Sequence, residues 1–256
     1  MAPINTSQPS RCVEFTAAPN FRDLGGYPST LGGSTRWRRA FRAGGLDRMT
    51  ADDRAGLDSL RVATIFDLRT AMERDRHPDP VPSVHLPLMG AFDAGPPLPD
   101  MAAMTEADHG IAFMRDMNLG LIEHATASIG HVVTAIAAAS TAPLVFHCTA
   151  GKDRTGLVAA LLLEVLGVDH DTVLDDFTLS ERYAGRPEDS HGFAHMIAMG
   201  MAPEAAAGAF GAPRTVMGEV LDTLDRRYGG AEAYLTGPAQ VADASITRLR
   251  DELLET

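Results

Sequence analysis

Just past its midpoint the chain passes from an apolar pentapeptide, Ala142-Pro143-Leu144-Val145-Phe146, through ten mostly polar residues into a second apolar run at 157–166. The first stretch is short and opened by a proline, which reads as a buried strand. The second keeps its apolar character over a helical length. A strand that feeds an apolar helix through one tight turn points to an α/β fold.

The rest of the chain alternates in the same way. Residues 39–43, 62–66 and 84–86 read as strands, and Thr50-Ala51-Asp52-Asp53 opens a helix with a threonine cap and early acids. Residues 90–104, rich in Pro, Gly and Met, read as a loop, and 111–139 as one or two helices. Gly167 is placed to stop the helix after the polar turn, and 171–183 reads as the next helix. Order then weakens over 184–211. Periodicity returns with Val216, Val220, Leu221 and Leu224 on one helix and Val241, Ile246, Leu249, Leu253 and Leu254 on another.

The polar turn is His147-Cys148-Thr149-Ala150-Gly151-Lys152-Asp153-Arg154-Thr155-Gly156. A turn entering a helix aims unpaired N–H groups and the positive end of the helix dipole at one point, so an oxyanion belongs there. The same field stabilises a thiolate, which makes Cys148 a charged nucleophile at neutral pH. Arg154 offers a planar fork that fits two phosphoryl oxygens, which a lysine could not match. The residues from Thr149 to Thr155 (Thr149, Ala150, Gly151, Lys152, Asp153, Arg154, Thr155) would surround the anion. Thr155 is placed to donate its hydroxyl proton to the sulfur, and His147 to orient the loop from beneath. A nucleotide P-loop is excluded by spacing: position 146 is Phe where Gly is needed, and Asp153 follows Lys152.

At these residues the chain resembles the Cys-x5-Arg phosphatases, the protein tyrosine phosphatase superfamily. Its Gly-Lys-Asp-Arg-Thr-Gly form is similar to the atypical bacterial branch, which acts on phosphotyrosine, sometimes phosphoserine/threonine, and phosphoinositides. The resemblance continues at Asn20-Phe21-Arg22-Asp23-Leu24-Gly25-Gly26-Tyr27, at Phe41-Arg42-Ala43-Gly44, and at Phe66-Asp67-Leu68-Arg69 with Glu73. Near the C-terminus it takes in Tyr228-Gly229-Gly230, Tyr234-Leu235 and Leu249-Arg250, so it covers roughly residues 14–254. It implies a central, mostly parallel sheet flanked by helices, one domain over 14–256 after a flexible terminus at 1–13, and a phosphoester hydrolase working through a cysteinyl phosphate with no metal and no cofactor.

Two carboxyls compete for the general acid. The resemblance favours Asp153, inside the loop, although Arg154, Lys152 and the helix N-terminus all favour its ionised form. Asp67 is the rival, at the carboxyl edge of the sheet where open α/β sheets bind ligands; its other reading is a structural pair with Arg69 or Arg22. Lys152 either adds charge for a densely phosphorylated head group, as in the lipid-directed branches, or pairs with Asp153. The readings left beside a broad-specificity phosphatase are a phosphoinositide-preferring one and a catalytically silent phospho-binding adaptor.

A net charge of −12 argues against nucleic acid as a partner and against adsorption to anionic membranes. Phosphoinositide activity would therefore draw on charge within the cleft, from Arg154, Lys152 and Arg22 or Arg42. No secretory signal is visible in the polar first ten residues, and the longest apolar run, 157–163, stops at Glu164, too short for a membrane span. Cys12 and Cys148 make no disulfide framework, and a thiolate nucleophile needs a reduced compartment. The cytoplasm is expected, with export lacking a recognisable signal left open. Cys12 reads either as inert or as a partner for oxidised Cys148.

Within 184–212, His191 and His195 stand four apart, but no Glu accompanies them in the metalloprotease pattern and no metal is expected. Met196, Met199 and Met201 suit an adaptable apolar surface. The segment therefore reads as a lid over the cleft or as a poorly ordered insertion.

Overall fold

The computed structural model describes residues 10–88 and 100–255. Of the terminal stretch expected to be flexible, residues 1–9 lie outside the described residues. Residues 11–13 are held against β1 (Arg22–Asp23): Val13 N–H donates to Phe21 O at 3.1 Å and Asp23 N–H to Arg11 O at 3.0 Å. Most of the loop expected at 90–104 also lies outside them; its end forms a single 3-10 turn, Met101–Ala103, capped by the Asp100 side chain.

The main sheet has five strands in the order β1, β3 (Ala40–Ala43), β6 (Leu144–His147), β4 (Thr64–Asp67) and β5 (Val84–His85). All neighbours run parallel except β1 against β3. A separate ribbon pairs β2 (Ser34–Thr35) with β7 (Leu254–Glu255). In register, Ala43 on β3 and Asp67 on β4 both face His147 on β6. Three parallel strands thus end level, and the segments after them leave from one edge of the sheet.

β6 is fully buried, and its side chains alternate between two cores. Leu144 and Phe146 join a large core with α4 (Thr126–Ala139), α5 (Asp153–Val165), α9 (Arg214–Tyr228), α10 (Ala231–Thr236) and α11 (Asp243–Leu253). Val145 points the other way, towards Phe21, Phe41, Leu46, Met49 and Ile65, and to Leu57 of α1 (Ala51–Ser59). This is the period of two expected of a strand covered on both faces. In α5 every residue except Asp153 and Glu164 is buried, the mark of a helix enclosed on all sides. Truncating Phe146 to Ala would cost about 3–5 kcal/mol.

The caps explain where the helices begin and end. Thr50 and Asp53 form a reciprocal capping box on α1, and Gly167 takes φ +75° just past α5. Thr70 and Glu73 form a second box on α2 (Ala71–Arg76). The run at 111–139 is two helices, α3 (Ala107–His124) and α4, meeting at 80°. Among the described residues no single helix is long and apolar enough to cross a membrane.

After α6 (His170–Tyr183), the segment expected to be weakly ordered carries two short helices, α7 (His191–Ala198) and α8 (Pro203–Phe210). α8 lies backbone to backbone on α3. A Cβ on Gly110 would fall 1.9 Å from Ala205 O, and one on Gly208 would fall 2.1 Å from Ala107 O. α7 buries no residue fully.

Candidate active site

The sheet edge delivers Cys148 directly from the end of β6, and the side chain is 2 % exposed. The loop then turns at Gly151, whose φ of +67° and 2.4 Å approach of a would-be Cβ to Ala43 O admit only glycine. α5 starts at Asp153, and no side chain among the described residues caps its N-terminus, so its first N–H groups are left for a ligand.

Three successive loop carbonyls are claimed from behind. Gly45 N–H donates to Thr149 O at 2.9 Å, and Asn20 Nδ2 donates to Ala150 O at 3.1 Å and Gly151 O at 2.9 Å. Arg42 Nη2 also donates to Gly151 O, at 2.9 Å. In a trans peptide the carbonyl of one residue and the N–H of the next point opposite ways. Holding those carbonyls outward therefore turns the N–H groups of Ala150, Gly151 and Lys152 inward.

The clamp rests on Asp176 of α6. Its carboxylate accepts from Arg22 Nε at 3.1 Å, Arg42 Nη1 at 2.6 Å and the Tyr27 hydroxyl at 2.8 Å. Arg22 also donates to Asn20 Oδ1. Burial alone would raise the Asp176 carboxyl, but the two guanidiniums outweigh it and hold it well below the usual carboxylate range. Burial pushes Arg42 down to about 10, still charged at neutral pH. Arg22 and Arg42, expected as charges in the cleft, are instead buried behind the loop. Asp176 escaped the sequence reading, although an acid among Val173, Phe177 and Ser180, all on the buried face of α6, is a readable sign of a buried counterion.

Arg154 is aimed by Glu73. Its Nη1 and Nη2 donate to the two carboxylate oxygens at 2.7 and 2.8 Å. Glu73 also accepts the Thr149 hydroxyl at 2.6 Å and the backbone N–H of Thr70 at 2.9 Å. Burial would raise Glu73, yet Arg154 and these donors hold it below the carboxylate range, and Arg154 is raised in turn despite its burial. A guanidinium has five donors, so this grip leaves others for an anion.

The two candidate acids lie in different surroundings. Asp153 is 19 % exposed and lines the cavity with Cys148; its Oδ1 accepts from Asn118 Nδ2 at 3.2 Å. Asp67 is fully buried, and Arg69 grips both its oxygens at 2.9 and 2.8 Å. Burial would raise Asp67, but Arg69 and the nearby His147 bring it below its ordinary value. It does not line the cavity. His147 lies beneath the loop, its Nε2 3.3 Å from Asp79 Oδ2. Thr155 is buried, and its hydroxyl has no protein partner among the described residues.

Lys152 points away from the anion position. Its ammonium donates to Ala209 O and, at 2.9 Å, to Gly211 O, the carbonyl end of α8, and lies 3.5 Å from Asp153. His191 and His195 are not brought together: His195 faces the cavity, whereas the His191 ring stacks on His77.

The cavity holds about 280 Å³. Cys148, Arg154 and Asp153 form its polar floor, and Phe113, Met114, Met117, Met196, Met199 and Phe210 its apolar walls. A phosphate on an aromatic ring matches that division. The tyrosine phosphatase family model matches residues 13–255. A tyrosine-protein phosphatase from Nostoc commune is 32 % identical over 224 residues, 83 % of this chain and 73 % of that one. The triple specificity protein phosphatase PtpB of Mycobacterium tuberculosis is 30 % identical over 287 residues, covering 94 % and 98 %. The solved structure of Pseudomonas aeruginosa TpbA overlays at a TM-score of 0.36 with 20 % identity, over 72 % of this chain and 96 % of that one, too distant to bear on function. With the family model spanning nearly the whole chain and the Cys148-to-Arg154 loop at the level edge of its sheet, this protein belongs to the tyrosine phosphatase family.

Proposed function

We propose that this phosphatase hydrolyses phosphomonoesters in two steps through a cysteinyl phosphate, taking phosphotyrosine, phosphoserine/threonine and phosphoinositides. The phosphate docks on the inward N–H groups and Arg154, and the Cys148 thiolate attacks phosphorus in line. The ester bond breaks, and Asp153 gives its proton to the leaving oxygen. Water then attacks phosphorus, its proton passes to the Asp153 carboxylate, and the thiolate leaves. The observation that carries this reading is one cavity floor holding Cys148, Arg154 and Asp153 together. Asp153 is preferred to Asp67 because it reaches the cavity, whereas Asp67 is buried with both oxygens held by Arg69.

The breadth of substrate rests on the likeness to a relative named for triple specificity and on the site's dependence on phosphate more than on its ester. Phosphoinositide turnover would require Lys152 to leave the end of α8. We read α7 and α8 as a lid whose movement frees that lysine and admits large substrates. A reduced compartment, the cytoplasm, suits the thiolate.

The test is release of inorganic phosphate from a phosphotyrosine peptide, a phosphoserine peptide and a soluble phosphoinositide, with Cys148→Ser and Asp153→Asn beside the parent. Turnover of all three, lost in the serine variant, supports the proposal. Turnover surviving in Cys148→Ser would overturn the nucleophile, and phosphate binding without turnover of any ester would leave an adaptor.

A further inference from the structure

Three side chains outside this chemistry meet at the start of α7. Asp47 follows β3, His77 ends α2, and His191 opens α7, and one ligand atom from each lies within 4.8 Å of the others. Their wide separation in sequence means that only the tertiary fold joins them. The two rings stack with centroids 3.8 Å apart and planes 15° from parallel.

The cluster already converges on a cation. Arg48 Nη2 lies 2.8 Å from His191 Nε2, and Arg48 Nε lies 4.0 Å from Asp47 Oδ2. That same Asp47 oxygen is 3.9 Å from His191 Nε2. The guanidinium thus stands where a carboxylate and an imidazole nitrogen meet, on a side chain that is 56 % exposed and free to swing away. The other convergence of this kind among the described residues, Asp67, Asp79 and His147, is sealed beneath the sheet edge, with Arg69 bonded to both of its carboxylates.

We propose that Asp47, His77 and His191 bind a divalent transition-metal ion of the zinc class, which displaces Arg48 and clips α7 to the body of the enzyme. Two imidazoles and one carboxylate, with a water in the fourth position, form a donor set that suits zinc. Metal–ligand distances of about 2.0–2.2 Å require the donor atoms to close to about 3.3–3.5 Å of one another. The stacked rings must fan apart so that both nitrogens face one ion. The side chains have room to do so, since His191 is 40 % exposed and Asp47 17 %. α7 carries His195 and Met196 on the cavity wall, with Met199 just past its end, so a clipped α7 keeps the cavity covered. The binding site stands without the phosphatase reading; its effect on turnover rests on that reading and on the lid.

The experiment is calorimetric titration of zinc chloride into the full chain carrying Cys148→Ser, which removes the competing thiolate. One equivalent should bind. Partners outside the coordination sphere alone are worth about 10–100-fold in metal affinity, so His77→Ala and His191→Ala should each weaken binding by at least about a hundredfold. Arg48→Ala should tighten it, and His195→Ala should leave it unchanged. In the protein with Cys148 intact, zinc should lower kcat/KM for a phosphopeptide at a lower concentration than in His77→Ala, where the remaining loss comes from zinc on the Cys148 thiolate. No stoichiometric binding in the serine variant, or binding indifferent to both His77→Ala and His191→Ala, overturns the site. Binding that follows the histidines while the response of turnover to zinc is the same with and without His77 overturns the clip alone.

Discussion

Replacing Asp176 with Asn tests the clamp behind the catalytic loop. The substitution keeps the shape of the side chain but removes its charge, and turns an NH2 group towards the donors of Arg22, Arg42 and Tyr27. These now hold the carboxylate at 2.6–3.1 Å, with all three charged side chains at most 1 % exposed. Breaking a buried pair and stranding its partner costs about 3–5 kcal/mol. With a urea slope of about 3 kcal/mol/M, the unfolding midpoint should fall by roughly 1–1.7 M. Trp37, the single tryptophan, reports the transition by fluorescence. The folded-state carboxyl is held below its unfolded value, so the stabilisation is present above about pH 3.9 and lost as acid protonates Asp176 below it. The gap between variant and parent should therefore be full at pH 7 and shrink only in acid. Under conditions where the variant is folded, kcat should fall about 10–100-fold, as the Gly151 carbonyl loses its hold on Arg42 and the loop amides lose their aim. A midpoint within about 0.3 M of the parent at pH 7 would refute the reasoning that these two arginines depend on Asp176.

The remaining predictions concern the loop and its neighbours. Glu73→Gln should lower kcat/KM about 10–100-fold while leaving the fold intact by circular dichroism, because Arg154 loses the charged partner that aims it. Asp67→Asn and Asp153→Asn should part company: the first lowers the thermal midpoint and spares kcat, and the second lowers kcat by about 10²–10⁴ with little effect on stability. Gly151→Ala should abolish phosphate binding, read by calorimetry, since the new Cβ meets Ala43 O and φ is positive.

How much of this was legible in the sequence follows from how local each cause is. The path from β6 through the loop to α5 was readable because strand burial, a glycine turn and an apolar helix are adjacent in the chain. The capping box at Thr50 and Asp53 was readable for the same reason. α7 and α8 were not, because α8 meets α3 through Ala205, Ala209 and Gly208 against Gly110 and Ala107, and small residues leave no apolar stripe to count. Glu73 stood within the family resemblance without a role, since nothing in its neighbourhood shows that Arg154 lies across the sheet edge. For Asp67 the pair with Arg69 stood as one of two sequence readings, because the two residues are neighbours in the chain; Asp79, which shares that arginine, was not legible. For Lys152 the pair with Asp153 was legible as one of two readings, and the α8 carbonyls that also hold it were not, since they arrive from more than fifty residues away.

The outward-facing carbonyls at Thr149, Ala150 and Gly151 make the anion seat largely a seat of backbone amides, and amides do not titrate. Arg154 keeps its proton throughout the working range as well. Acid therefore cannot switch the seat off by neutralising its donors. As the medium is acidified, what changes first is the guest, since a phosphate monoester takes up its second proton near pH 6. The lower limb of ligand capture should accordingly follow whichever ester is supplied, shifting with the acidity of the phosphate offered and staying indifferent to conservative changes in the loop.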